Sequence, residues 1–163
     1  MYTAARDLPA YHFIREDDVR RDEIRSSELP DHAVTARDAL LRHYTVNSIS
    51  QDDPFDSTKL GPIVDEQALE RRSVVGLSGS SADVLNGKLA RGDLVDVLLS
   101  PKEAGTGRGA RLQELLVLDV DKRSKNARDY VIVLAVSASE ERLILRSAGS
   151  ARAFFSRSAL SAR

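Results

Sequence analysis

The sequence predicts a mainly β protein with a few short helices, organised as a small N-terminal module followed by a β-rich domain. Three observations carry this expectation. Short apolar runs rich in Val, Leu and Ile recur between clusters of Gly, Pro, Asn and Asp, most clearly over residues 94–99, 112–120 and 130–136. Helical signals are brief and sit beside Ser, Thr or Asp caps. Gly61-Pro62 breaks both helix and central strand and is the candidate domain boundary.

Element by element, residues 2–5 form an expected short strand that stops at Asp7-Leu8-Pro9, where proline removes a backbone donor and fixes φ. His12-Phe13-Ile14 is a second expected strand. Glu16, Asp17 and Asp18 suit the start of one acidic helical turn, where carboxylates meet unpaired amides. Residues 20–25 extend, with Ile24 turned inward. Beyond the Leu29-Pro30-Asp31 loop, Thr35 and Asp38 have capping-box spacing ahead of a short helix at Ala39-Leu40-Leu41. Tyr44, Val46 and Ile49 favour extended chain up to the turn at Gln51-Asp52-Asp53-Pro54, after which Phe55 and Leu60 return to the core.

In the second part, residues 73–77 are an expected strand, and residues 80–87 a capped short helix closed by Gly87. Residues 94–99 form a strand bounded by Gly92-Asp93 and Pro101. Residues 102–111, with Gly105, Gly107 and Gly109, form a flexible hairpin connection. Two strong strands follow over 112–120 and 130–136, the second apolar enough to be covered on both faces. Ser137 and Glu140 again have capping-box spacing, and Leu143, Ile144 and Leu145 supply the apolar side of a helix ending near Gly149. Residues 152–155 close the chain as a strand.

Composition narrows function. The 24 Lys and Arg against 25 Asp and Glu give a formal charge of −1, which argues against a general nucleic-acid or membrane-surface binder. Four Phe, four Tyr and no Trp leave few stacking platforms and require a mostly aliphatic core. No cysteine is present, which removes disulfides, thiolate catalysis and thiolate metal sites and is compatible with any compartment. No apolar run approaches the roughly 20 residues that span a bilayer.

Candidate chemistry is sparse. His12, His32 and His43 lack the spacing of a helical metal pair, and no metal site or cofactor is expected. The acidic clusters Glu16-Asp17-Asp18 and Asp52-Asp53 are explained by caps and turns more readily than by acid and base work. There is no G-x-S-x-G, and Gly105-Thr106-Gly107-Arg108-Gly109 lacks the Lys-Ser/Thr of a phosphate loop, so no catalytic residue is assigned. Arg91-Gly92-Asp93 matches an integrin-type tripeptide but is better read as a turn into a strand. Tyr11, His12 and Phe13, an apolar cluster beside a turn, are the interface candidates.

The segment Ala4-Ala5-Arg6-Asp7-Leu8-Pro9-Ala10, with Asp17-Asp18-Val19, the Pro30 loop, Asp38, Arg42 and the return over 49–60, resembles a SAF domain. That β-clip module is also related to type III antifreeze proteins and the tail of sialic acid synthases. Gly87 to Leu99, G-K-L-A-R-G-D-L-V-D-V-L-L, resembles the segment that follows the SAF domain in the Flp pilus assembly proteins CpaB and RcpC, and residues 112–119 and 131–140 resemble that family's next strands and Ser-x-Glu helix. The turn after Pro9 commonly carries Ala-Gly in the family; here it is Ala10-Tyr11, so a non-glycine variant must replace the glycine-dependent left-handed turn. Arg91 stands where proline is common.

The resemblance implies a SAF-like β-clip domain at residues 1–60 and an RcpC/CpaB-like domain at 61–163. It implies no catalysis and no cofactor. The function implied is an extracytoplasmic scaffold or assembly factor of a Flp/Tad-type pilus or related secretion apparatus. Its partners would be other pilus or secretion proteins or cell-wall polymer, and itself as a homo-oligomer, without nucleic acid or direct membrane contact. The family's N-terminal membrane anchor is absent from these residues. A saccharide- or cell-wall-binding SAF module, or a periplasmic assembly chaperone, is the rival; a dehydratase bearing a SAF domain lacks matching catalytic residues here.

Overall fold

The computed structural model describes residues 1–23, 29–101, 109–122, 129–147 and 151–157. Over the described residues the chain is mainly β, with two sheets, one α-helix and several single 3-10 turns. It divides into compact units at 1–69 and 70–163. Residues 61–69 therefore belong with the first unit rather than after a break at Gly61-Pro62. Gly61 N–H donates to Tyr44 C=O at 2.7 Å, and Val64 N–H to Arg42 C=O at 2.9 Å. Gly-Pro here ends a strand-like run without ending the fold.

The first unit holds one two-stranded antiparallel sheet, β1 (Tyr2–Ala4) with β2 (Val19–Arg21). The rest is knit by isolated bridges, among them Leu8 with Ile49, Phe13 with Tyr44 and Thr45 with Leu60. Leu8 and Ile49 exchange both amide bonds, at 2.8 and 2.9 Å. The expected strand at residues 12–14 is thus only a bridge at Phe13. Ala4, Leu8, Ile14, Val34, Leu40, Ile49 and Phe55 form a mostly aliphatic core, as expected of a chain without Trp.

The expected helix after Thr35 is a 3-10 turn at Arg37–Ala39, preceded by Ala36, which makes no side-chain cap. Arg42 at φ 71° turns the chain away before a second helical turn forms. Ile24 lies outside the described residues. Gly61 meets the face of the buried Tyr44 ring so closely that a Cβ would overlap it. Gly61→Ala should therefore cost about 1–3 kcal/mol by overpacking, read as a lower urea midpoint with an unchanged m-value.

The second unit is a five-stranded sheet in the order β3-β6-β5-β4-β7, every neighbouring pair antiparallel. Its strands are β3 (Ser73–Ser80), β4 (Leu94–Pro101), β5 (Ala110–Lys122), β6 (Asp129–Val136) and β7 (Ala151–Arg157). Alternation sends Val95, Val97 and Leu99 inward with Leu112, Leu115, Val117, Ile132 and Leu134, which fill one core. On β6, Leu134, Ala135 and Val136 are buried on both faces, whereas Val131 and Val133 are half-buried.

β5 carries two register shifts, one against β4 between Val95 and Val97 and one against β6 between Val117 and Asp119. At the first, Glu114 takes φ 55°, its N–H donates to Asp96 Oδ1 at 3.1 Å, and Arg111 binds Asp96 Oδ2 at 2.6 Å. Extra residues bend and twist a strand. The sheet accordingly curls until its end strands β3 and β7 approach each other. The hairpin connection expected at 102–111 lies, for residues 102–108, outside the described residues.

Between β6 and β7 lies α1 (Ala138–Ser147). Its start matches the expected capping box: Ser137 N–H and Oγ donate to Glu140 Oε2 at 2.6 and 2.7 Å. Ser73 Oγ to Glu141 Oε2, 2.8 Å, ties that end to β3. Of the three expected apolar helix residues, Ile144 alone is buried, while Leu143 and Leu145 are exposed, because consecutive residues cannot share one helical face. The expected end at Gly149 lies outside the described residues.

The helix expected over residues 80–87 does not form. β3 runs on to Ser80, the chain turns, and Leu85, Asn86 and Gly87 all take positive φ. A left-handed backbone cannot propagate a right-handed helix. Gly87 does stand at a turn, but its missing Cβ leaves room for the Tyr130 hydroxyl.

Candidate functional site

The acidic opening segment is spent on the fold. Asp7 Oδ1 accepts from Gln51 N–H at 2.8 Å. Asp18 is fully buried; its Oδ1 takes Arg6 Nε at 2.8 Å and Nη2 at 2.6 Å, and its Oδ2 takes Arg15 N–H at 2.9 Å and His12 Nε2 at 2.8 Å. Burial alone would raise the Asp18 carboxyl. The Arg15 amide, His12 and Arg6 together outweigh it and hold the group below its ordinary 3.8.

The three interface candidates sit around this hub. Tyr11 takes φ 62°, so the left-handed turn after Pro9 forms without glycine, at a cost of roughly 1 kcal/mol. Thr45 holds the turn: its N–H donates to His12 C=O, its hydroxyl donates to Pro9 C=O at 2.7 Å, and His12 N–H donates to that hydroxyl at 3.0 Å. His12 donates its ring proton to Asp18 because an ionised carboxylate only accepts. Phe13 is half-buried with the Arg15 guanidinium 5.9 Å from its ring centre.

The other histidines are dispersed. His43 Nδ1 lies 2.6 Å from Gly61 C=O, and His32 takes φ 65° in a separate turn. Asp52 pairs with Arg20 at 2.8 Å. Among the described residues no group of three or more His, Asp or Glu side chains could hold a metal ion. The Arg91-Gly92-Asp93 turn docks on β5, with Gly92 N–H on Val117 C=O and Val117 N–H on Asp93 C=O. Its two charges face Asp119 and Arg157, at 2.7 and 2.6 Å, so the tripeptide is a strand entry.

The feature that local sequence reading missed is the seam between β3 and β7. Asp83, in the turn after β3, is 6% exposed and accepts from Ser80 N–H at 3.0 Å, Ser80 Oγ at 2.6 Å and the Arg152 guanidinium of β7 at 2.9–3.3 Å. Burial works against that charge, but the Ser80 and Arg152 bonds prevail and lower its pKa. Phe155 N–H donates to Asp83 C=O at 3.0 Å, and the Phe155 ring fills the space left by the missing Gly79 Cβ. The seam is thereby latched at one end.

Beside that latch lies a groove of about 540 Å³. Residues 75–78 form one wall and 151–153 the other, Leu99 lies beneath, and Ile144 and Leu145 of α1 border it. The lining is apolar apart from Ser78, Ser147 and Arg152. A hint existed in the Ser80-x-x-Asp83 spacing, which reads equally as a helix cap. A second, smaller pocket of about 280 Å³ in the first unit is polar, with Asp31, Asp53, Asp56, Ser48 and Lys59 in its wall.

Comparison with known proteins finds no matching family model, no matching curated protein and no matching solved structure. Among the described residues no helix is long and apolar enough to cross a membrane.

Proposed function

We propose that this protein is a non-catalytic scaffold or assembly factor that works through protein contacts, outside the cytoplasm, in a Flp/Tad-type pilus or related secretion apparatus. The placement in that apparatus rests on the resemblance of residues 4–19 and 87–99 to the SAF and CpaB/RcpC segments. The mode of action rests on one observation: in the curled sheet of the second unit, β3 and β7 each have no strand partner on one side among the described residues, beside an apolar groove. Two buried carboxylates serve as latches, Asp18 in one unit and Asp83 in the other.

The test is affinity capture from envelope extracts of the cell that makes the protein. Enrichment of pilus or secretion proteins over an unrelated β protein is the expected result. Enrichment of cytoplasmic enzymes, or of nothing above the control, contradicts it. The polar pocket at Asp31, Asp53 and Lys59 favours a second reading, a hydroxyl-rich saccharide or cell-wall ligand. Retention on peptidoglycan that Asp53→Ala abolishes would favour that reading.

A further inference from the structure

We infer that the groove between β3 and β7 takes one extended segment of a partner protein as a sixth strand, antiparallel to both walls and neutral to acidic in sequence. The inference rests on the reading that the protein acts through protein contacts, and it goes further by naming the surface, the direction and the chemistry of the occupant.

Direction comes from topology. All four pairings in the sheet are antiparallel, so its end strands β3 and β7, four steps apart, run the same way. Brought together directly they would form a parallel pair. One strand placed between them and running oppositely pairs antiparallel with both, and closes the sheet as six antiparallel strands. Among the described residues neither wall pairs with a further strand on the groove side, and such an edge of backbone donors and acceptors is the template that strand addition uses. Among the described residues, Phe155 N–H donates to Asp83 C=O and joins β7 to the turn after β3, at the latched end.

Size and lining agree with that occupant. About 540 Å³ falls within the roughly 300–1,000 Å³ of clefts that hold ligands. Half-buried Val75 and Leu77 and exposed Leu145 offer apolar surface to side chains of an entering strand, above the buried Leu99 and Ile144. Among the described residues Arg152 is the one charged side chain in the lining, and its partner Asp83 lies just outside it at the latched end. Its side chain is 55% exposed even while bound to Asp83, so an acidic residue near that end is favoured over a basic one. The latches Asp83–Arg152 and Asp93–Arg157 hold β7 in place beforehand, which reduces the ordering cost of binding.

The experiment uses the full chain, isotopically labelled, with blocked heptapeptides of alternating Val and Thr. One peptide carries Asp near one end, one carries Lys there, and one is the Asp peptide with alternate backbone nitrogens methylated. The Asp peptide should shift amide signals and slow hydrogen exchange over residues 73–80 and 151–157. The Lys peptide should bind about fivefold more weakly, as one surface charge contact allows, and the methylated peptide should not bind. Ala151→Trp, which fills the groove, should abolish the effect, its thermal transition reporting that the fold persists. If Ala151→Trp unfolds, the methylated peptide carries the same discrimination.

Absence of shifts with every peptide on folded protein overturns the inference. So do shifts confined to the first unit, or protection of β3 and β7 that grows with protein concentration alone and so assigns the groove to a second copy. Either leaves envelope capture free to succeed. Capture that fails while peptides bind the groove sinks the proposed apparatus and not the groove.

Discussion

Asp18→Ala should destabilise the first unit by about 3–5 kcal/mol, the range for breaking a buried charge cluster by removing one partner. The carboxylate lies at the centre of residues 6–18 and receives the Arg6 side chain, the His12 ring and the Arg15 amide. Without it the Arg15 N–H loses its acceptor, and the His12 and Arg6 side chains lose the group that positions them. Asp18→Asn keeps the shape but loses the charge and presents a donor where donors already converge, so it should recover only part of the loss. Because the native carboxyl titrates below its ordinary 3.8, its stabilisation is complete above about pH 4 and drains away as pH falls through the native value. Urea unfolding of wild type and Asp18→Ala should therefore differ by a constant amount at neutral pH and converge in acid. A gap that stays constant down to pH 2 would refute the assignment.

Asp83→Ala should cost the second unit about 2–4 kcal/mol. Three donors lose their acceptor, two of them on Ser80, and β7 loses its tie to the turn after β3. The Arg152 share of that cost is the smaller one, since its side chain is half exposed and screened by solvent. Arg152→Ala should accordingly cost about 1 kcal/mol or less, and the double variant should lose less than the sum of the two. Hydrogen exchange should show β7 opening in Asp83→Ala while Leu8 and Ile49 amides of the first unit stay protected. Equal losses in both units would contradict the separation at Leu69.

How much of this was legible varies with the range of the interactions. β4, β5 and β6 announce themselves, because β-branched alternation is written in consecutive residues and the interior of a sheet rewards it. The Ser137–Glu140 cap was legible for the same reason: both partners lie within one helical turn. The Thr35–Asp38 spacing is equally local and misled, since Arg42 turns left-handed before a helix can extend. Ser80 and Asp83 form their local bond as well, but in a turn that closes a strand rather than opens a helix.

The groove was not legible. It depends on residues 75–78 meeting 151–153, more than seventy positions away, through a sheet curled by extra residues at Glu114 and Leu118. Neither extra residue has a signature, as glycine would have at the first. Asp18 was visible as a cap residue, whereas its role as the meeting point of Arg6 and His12 requires the chain to fold back first.

The most direct measurement of the central claim is a structure of this chain bound to the protein that envelope capture recovers. A segment of that partner should lie between Val75–Ser78 and Ala151–Ala153, antiparallel to both, with Asp83 and Arg152 still joined. A partner seated elsewhere with the seam unfilled, or one that reaches Asp18 and displaces Arg6 and His12 from it, would contradict the account.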